Sequence, residues 1–481
     1  MGMERNQPRL SASLGLLGEF ATSRGLRILR TDTNLARWLA PPLAALCLVW
    51  PALWNSYPIV FADTGTYLSQ AMHRYLGWDR PVFYSFFIWP FHLGLTTWPV
   101  LLAQSCLTVL VLDLTRRAFG LTSGWLLGLA VFLALMTWLP WTVSELMPDL
   151  FTPLMILLLG LLVFQAARFR PRDRLAITVL AAFMIATQQS SVPLAFGLLT
   201  VMIPLRLFTD NAWVAQGIHH ESWWVVLSPL LAPGLAIIAL VLVNTVGFGR
   251  ISVSPYGNVF VLARVIYDGP GMTVLHRDCP DRRWRLCPYL NQLPATADEF
   301  LWARSSPVML AGGHKAISAD ADAIIREAII TQPGLLLVAT WDNTIEQLTR
   351  FASGDGLESW NEQVGSRIDQ DFPAQERAAF HAARQQSGNL AVPSPLAIAH
   401  RVTALAGIAA ALFLLPLAWR QRHVAAWFLV IALISLPLSA AITGGLSTPH
   451  DRYQSRIVWL PAAVAFLTVP ALLRRRRPDF A

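Results

Sequence analysis

The chain alternates between long apolar runs and short polar connectors rich in arginine, proline and serine. Ten of the runs approach the twenty or so residues needed to cross a hydrocarbon layer about 30 Å thick. They cover residues 39–58, 97–115, 122–141, 150–167, 175–189, 192–208, 223–243, 402–419, 424–443 and 457–473. The fifth and sixth are short and joined through Gln188-Gln189-Ser190-Ser191. A further stretch, Pro81 to Leu95, is aromatic-rich but interrupted by Pro90 and Gly94. It is expected to lie along the outer interface, where Trp, Tyr and Phe settle at headgroup level. The first run begins near residue 39, too late for a cleavable signal peptide.

This pattern divides the chain into three. Residues 1–243 form a cytoplasmic N-terminus and a membrane core of seven spans. Residues 244–401 form an insert, long enough to bury a core of its own. Residues 402–481 add three spans and a basic tail. Within the insert, Val259 to Tyr267 fits a strand or a short helix. Ala319 to Thr331 reads as a helix capped by Ser318, with Pro333-Gly334 beyond its end. Gly334 to Phe351 reads as an amphipathic helix with Trp341, Ile345 and Leu348 at helical spacing, and Pro373 to Gln386 as a polar one. Gly269 to Pro294, with four prolines and two cysteines, reads as an ordered loop.

Composition names the solvent. The chain is 54% hydrophobic and 14% charged, against about 25% charged for a soluble domain, so the expected class is an all-α polytopic membrane protein. Charge orients it. With ten spans both ends share a side, and the segments on that side hold 19 arginines against 8 acids, whereas the other side holds 18 basic residues against 21 acids. The positive-inside rule then puts both termini in the cytoplasm and the insert outside. The net charge of +8 and the run Arg474–Arg477 need no nucleic acid; an anchor on anionic lipid accounts for them. His219-His220-Glu221 falls in a cytoplasmic loop and solvates it.

Cys47 and Cys106 fall inside apolar runs, where a thiol behaves as a small hydrophobe. Cys279 and Cys287, eight residues apart in the insert, have only His276 nearby as a further metal ligand. A disulfide in an oxidising periplasm fits them better than zinc.

The candidate chemistry sits in the outer connectors. Ionisable groups at membrane depth cost several kcal/mol unless paired or wetted, which marks them as functional candidates. Asp63, just past the first span, is placed to take a proton from a hydroxyl as a general base, or to cap a helix beginning at Thr64. Asp79-Arg80 reads as a local ion pair. Glu145 and Asp149 are read as ligands of a divalent metal, as part of an acceptor site, or, for Asp149, as a helix cap. In His450-Asp451-Arg452-Tyr453-Gln454-Ser455-Arg456 the two arginines are four apart and would share a helix face. They suit bidentate phosphate binding on the side where arginines are otherwise disfavoured. Gly312-Gly313-His314-Lys315 lacks the full spacing of a phosphate loop.

In this order the motifs resemble those of the GT-C class of polytopic glycosyltransferases. They are Asp63 and Tyr67 in the first outer loop, then Arg80-Pro81 and Tyr84, then the exit Leu114-Thr115-Arg116-Arg117-Ala118-Phe119-Gly120, and Arg452-Tyr453 before the last span. The likeness covers residues 39–208 best and 440–475 more loosely. Many members pair two acids where this chain has Asp63-Thr64, and carry a lysine where it has Gln188-Gln189. The resemblance implies an inverting transfer from a polyprenyl-phosphate-linked sugar to an envelope glycan or lipid at a bacterial inner membrane. Asp63 would assist the acceptor hydroxyl, with Tyr67, Arg80, Tyr84, Glu145, Asp149, Arg452, Tyr453 and Arg456 around the substrates. The residues also leave open a lipid or polysaccharide transporter, and a ligase of preassembled glycans using His276, Arg277 and His314 of the insert.

Overall fold

The computed structural model describes residues 34–207 and 223–474. Residues 1–33, the His219-His220-Glu221 loop and Arg475–Arg477 lie outside the described residues. Among those described, the regular structure is helical; the one β feature is an isolated parallel bridge between Ile59 and Glu145.

The first predicted span is α1 (Asn34–Leu48), followed after a break by Trp50–Asn55. Two shorter helices follow, the largely buried α2 (Thr64–His73) and the half-buried α3 (Phe83–His92). Helix α4 (Trp98–Ala118) ends where Asp113 pairs with both Arg116 and Arg117. Helix α5 (Gly124–Met136) breaks before the short helix Leu139–Ser144. Helix α6 (Phe151–Phe164) is apolar around its whole circumference, and every one of its residues is buried, as an all-round apolar helix at a bundle centre should be. It packs on α4, on α7 (Pro171–Ala186) and on α8 (Ser191–Leu207). Helix α9 (Leu231–Phe248) completes the first group and ends at Gly249, whose φ of +66° suits the left-handed cap.

The insert contributes α10 (Gly257–Tyr267), α11 (Pro270–Arg282), α12 (Gly313–Thr331), α13 (Pro333–Thr349) and α14 (Ala374–Ala382), with shorter turns between. The chain then returns through α15 (Ser394–Arg420), α16 (Ala425–Leu446) and α17 (Leu460–Arg474). Helices α15 and α17 meet closely: a Cβ at Gly407 would stand 2.6 Å from the Ala462 methyl, the small-residue contact by which helices associate in lipid.

All ten predicted spans fall on helices, but only five described segments are both long and apolar enough to cross a membrane. They are Trp98–Ala118, Trp223–Phe248, Ser394–Arg420, Ala425–Leu446 and Asp451–Arg474. The protein is a helical membrane protein. The remaining predicted spans are shorter or broken, as at Val49 and at Thr137-Trp138.

Two expectations for the insert need correction. Gly269 to Pro294 is not a loop: Pro270 opens α11 at its first turn, where a missing N–H is harmless. The disulfide Cys279–Cys287, with Cα atoms 5.4 Å apart, ties its last turn to the one that follows. Ser318 is not a cap. Gly312 and Gly313, at φ of +104° and +82°, turn the chain into α12 six residues earlier than expected. The Ser318 hydroxyl, inside the helix, donates to Asn258 Oδ1 at 3.0 Å.

The insert also packs in two ways. Residues 256–328 close around their own core, with Val259, Leu262, Phe300, Ile317 and Ile324 fully buried. Val364, Ile368, Phe372 and Phe380 are buried instead in the core of the membrane helices. That second part clamps the start of the connector that follows the first predicted span. Tyr57 OH donates to Glu376 Oε1 at 2.7 Å, and the Thr97 N–H donates to the same oxygen at 2.8 Å. The Gln385 amide binds both backbone groups of Val60, at 3.0 and 2.7 Å.

Candidate functional site

This clamp positions the connector that carries Asp63. Ile59 accepts from Leu146 N at 2.8 Å and donates to the Ser144 carbonyl at 2.9 Å, so residues 59–64 run beside the connector that carries Glu145. Thr64 Oγ1 donates to the Leu146 carbonyl at 3.1 Å. Asp63 then stands at the head of α2, but its side chain makes no capping bond. It pairs with Arg80 instead: Arg80 Nη2 donates to Oδ1 at 2.7 Å. Arg452 Nη2 approaches the other oxygen, Oδ2, at 3.9 Å, too far for a hydrogen bond. One carboxylate oxygen is therefore held by a hydrogen bond, while the second has only the more distant Arg452 charge beside it.

The local Asp79–Arg80 ion pair is not formed. Arg80 donates to the Asp79 backbone carbonyl at 3.0 Å while its charge goes to Asp63. The Asp79 carboxylate turns to the Thr66 hydroxyl, 3.4 Å away. Burial, with Asp63 nearby, raises Asp79 above the ordinary carboxylate range against the opposing pull of Arg80.

Arg452 and Arg456 do lie on one face, and Tyr453 lies between them: their guanidinium carbons stand 5.2 and 5.4 Å from its ring centroid. Arg452 also covers Phe61 at 4.1 Å. Its backbone N–H donates to Asp355 Oδ2 at 2.9 Å, and Asp451 Oδ1 accepts from Ala352 N at 2.5 Å. The chain before the last span is thus fastened to the insert. Arg456 Nη1 donates to Asp149 Oδ1 at 2.8 Å and to Gln188 Oε1 at 3.0 Å. Asp149 is therefore an arginine partner rather than a helix cap, and the turn that lacks a lysine reaches a cation through Gln188. Three buried atoms of this group, Asp149 Oδ2, Arg452 Nη1 and Arg456 Nε, have no hydrogen-bond partner. Such atoms cost about 1–3 kcal/mol each or more when charged; the two arginine N–H groups belong to cavity-lining side chains and suit an anionic ligand, whereas Asp149 Oδ2 lies behind the wall.

Two cavities meet here. One, of about 620 Å³, is lined by Phe61, Tyr75, Trp302, Trp360 and several charged groups, Asp355, Glu358 and Arg367 among them. The other, of about 400 Å³, is lined by Tyr67, Gln188, Ile442, Leu446 and Arg456. Asp63, Asp79, Arg80, Asp298, Trp302, Arg452 and Tyr453 belong to both walls.

Six of the expected site residues therefore line cavities: Asp63, Tyr67, Arg80, Arg452, Tyr453 and Arg456. Tyr84, Glu145 and Asp149 do not; they pack behind the walls. Tyr84 bonds Gln104, whose amide Nε2 donates to the Glu145 carbonyl at 2.9 Å. Burial, with Asp149 nearby, pushes the Glu145 carboxyl well above its ordinary value. Among the described residues no group of three or more His, Cys, Asp or Glu side chains is arranged to hold a metal ion. Sequence reasoning passed over Asp298, Trp302, Asp355 and Trp360. They come from the insert, far along the chain from Asp63, and carry no motif. Of the insert residues assigned to a ligase, none lines either cavity: Arg277 pairs with Asp278 and Glu327, and His314 is packed among Trp78, Phe260 and Trp302.

No family model, curated protein or solved structure matches this chain.

Proposed function

We propose that this protein is an inverting glycosyltransferase of the GT-C kind. In this reading ten helical segments cross a bacterial inner membrane, both termini are cytoplasmic, and the insert is periplasmic. The donor is a polyprenyl-phosphate-linked sugar, and the acceptor an envelope glycan or lipid. The observation that carries the reading is the meeting of two unlike cavities at a carboxylate. The one beside Ile442 and Leu446 is flanked by the outer end of α16 and supplies Arg456 with an unpartnered N–H, as a lipid phosphate requires. The other is polar, aromatic and walled by the insert, as a sugar acceptor requires.

The chemistry balances within these residues. The acceptor oxygen bonds to the anomeric carbon from the face opposite the leaving group. Its proton passes to Asp63 Oδ2, and the carbon–oxygen bond to the lipid phosphate breaks with its electron pair on that phosphate. Arg452 and Arg456 neutralise the charge that develops there, the electrostatic stabilisation on which such transfers rely. Arg80 holds Asp63 in position through Oδ1. Glu145 lines neither cavity, so an acceptor hydroxyl held there does not reach it.

Purified protein supplied with a radiolabelled polyprenyl-phosphate sugar and a crude envelope acceptor should release lipid phosphate and label the acceptor. Transport of labelled lipid across proteoliposomes without release would replace the reading with a transporter. Reporter fusions near residue 300 should report the periplasm; a cytoplasmic signal there would overturn the topology.

A further inference from the structure

Helices α12 and α13 meet at a bend of 101°. From Ala328 to Trp341 (AIITQPGLLLVATW) the chain carries no charged residue. Those fourteen residues are too few to span a bilayer and of the length typical of re-entrant or interfacial segments. On the outer side of the elbow Ile329, Ile330, Leu335, Leu337, Val338 and Trp341 are exposed, from 53% to 72%. The lipid-facing residues of the spans are exposed to the same degree: Val402 and Phe413 on α15 stand at 59% and 70%. A water-facing surface does not gather so many large apolar side chains without interruption.

The elbow's place in the fold says what covers it. Helix α13 lies against the spanning helix α16 at Gly444 and Gly445, where a Cβ would stand 2.6 Å from the Asn343 carbonyl oxygen and 3.1 Å from the Thr340 methyl. The end of α13 is fixed just beyond the span, where the Gln347 side chain bonds both backbone groups of His450 at 2.8 and 3.0 Å. From Gln347, held at the connector beyond the span, α13 runs back to Asn343 and Thr340, which lie on the last turn of the spanning helix α16. The first charged residue after the apolar stretch, Asp342, follows Trp341, the residue type that settles at the headgroup level. The bend also satisfies much of its own backbone, as hydrocarbon demands. Gln332 N donates to Ala328 O at 2.9 Å, Leu336 N to Gln332 O at 3.2 Å, and Pro333 has no N–H to satisfy.

We propose that the α12–α13 elbow is a re-entrant anchor whose tip, from Ile329 to Val338, is immersed in the leaflet bordering the candidate site. The insert is then held in the bilayer as well as over it. The anchor stands on exposure, charge and packing, and does not depend on the glycosyltransferase reading.

Spin labels placed one at a time at Ile330→Cys, Leu337→Cys, Lys315→Cys and Glu346→Cys test this. The full chain would carry Cys47→Ala and Cys106→Ala with the disulfide intact, in liposomes of phosphatidylethanolamine and phosphatidylglycerol. Labels at 330 and 337 should collide with dissolved oxygen in preference to a water-soluble nickel chelate, and those at 315 and 346 the reverse. Preference for nickel at 330 and 337 would place the elbow in water and overturn the proposal. So would labels there that meet neither quencher, and dipolar broadening between labels would then identify a second copy as the cover. Because no sugar donor is involved, failure here leaves the catalytic reading standing.

Discussion

The cavity beside Gln188 and the cavity beside Trp360 share the wall that contains Asp63, Arg80 and Arg452, and differ in almost everything else. Both take residues from the insert. The first sets Phe260, Val261 and Leu301 against the ends of membrane helices and ends in a buried cation, Arg456, whose side chain is 2% exposed. The second sets Asp355, Glu358, Trp360 and Arg367 against Phe61, Thr66 and Tyr75. One offers a fixed, desolvated charge, the other aromatic rings among carboxylates. Variants in the shared wall should therefore affect both ligands or the reaction itself, and variants in either far wall only one ligand.

The largest effect belongs to the shared carboxylate. Asp63→Asn keeps the shape and a hydrogen-bonding oxygen for Arg80 but cannot take a proton. Turnover should fall by about 10²–10⁴, with binding of donor and acceptor little changed and a normal melting profile in detergent. Asp63→Ala loses no capping bond but strands the Arg80 charge, so it should melt lower than Asp63→Asn, which keeps an oxygen for Arg80. Near-parental turnover of Asp63→Asn would remove Asp63 as the base and point to Asp79, which faces the same two cavities.

Next comes Arg456. Arg456→Ala strands the buried Asp149 charge, and breaking such a pair costs about 3–5 kcal/mol of stability. The double variant Arg456→Ala with Asp149→Asn should recover much of that stability while donor binding stays lost. Arg456→Lys should rescue donor binding only in part, because an ammonium lacks the bidentate fork. Acceptor affinity should be unchanged in all of them. If the stable double variant binds the lipid donor as the parent does, the arginine is an anchor for Asp149 and no more.

Trp360 tests the opposite wall. Its ring packs on Phe61 at 4.8 Å between centroids, and its indole N–H donates to the Gly356 carbonyl at 3.0 Å. Trp360→Ala should raise the acceptor KM about ten-fold, equivalent to roughly 1.4 kcal/mol, and leave donor binding alone. Equal losses for donor and acceptor would mean that the two cavities are one site.

The unequal origins of the two walls explain what the sequence could disclose. Helix positions were legible because apolar runs of span length are a strong signal, as α6 shows, and Arg452 and Arg456 were legible because helical spacing puts i and i+4 together. Span length was less so: proline and local breaks, as at Val49 and Thr137, divide runs that hydropathy joins. The partner of Arg80 was misread because proximity in sequence favoured Asp79, while the turn of the chain delivers the charge to Asp63. Trp302 and Trp360 were invisible because their place depends on the docking of the insert, in which Gln385 and Glu376 reach more than 270 residues back to Val60 and Thr97. Apolar runs also do not declare their surroundings: α6 is wholly buried by protein, whereas α13, of similar length, exposes its apolar face.

The smallest effect expected is on the shared wall from behind. Trp302, which lines both cavities, stacks on Trp78 at 6.1 Å, and His314 is wedged against the same pair, at 4.0 Å from Trp78 and 5.6 Å from Trp302. Burial lowers the His314 imidazole from its ordinary 6.5 to about 4. The folded protein thus keeps His314 neutral where the unfolded chain takes up a proton, so stability falls as pH drops from about 6.5 to about 4. Asp298, held below its ordinary 3.8 chiefly by the His450 hydrogen bond, loses its contribution only at still lower pH, which separates the two. Asp79, raised by burial, works in the opposite sense on acidification. Melting temperatures at pH 7 and pH 5 should therefore differ less for His314→Phe than for the parent, since a phenyl ring fills the aromatic box without titrating. At pH 5 the folded parent still holds His314 neutral, so through this box its affinity for donor and acceptor should not change. A pH dependence of melting unchanged in His314→Phe would show that the box is indifferent to the imidazole.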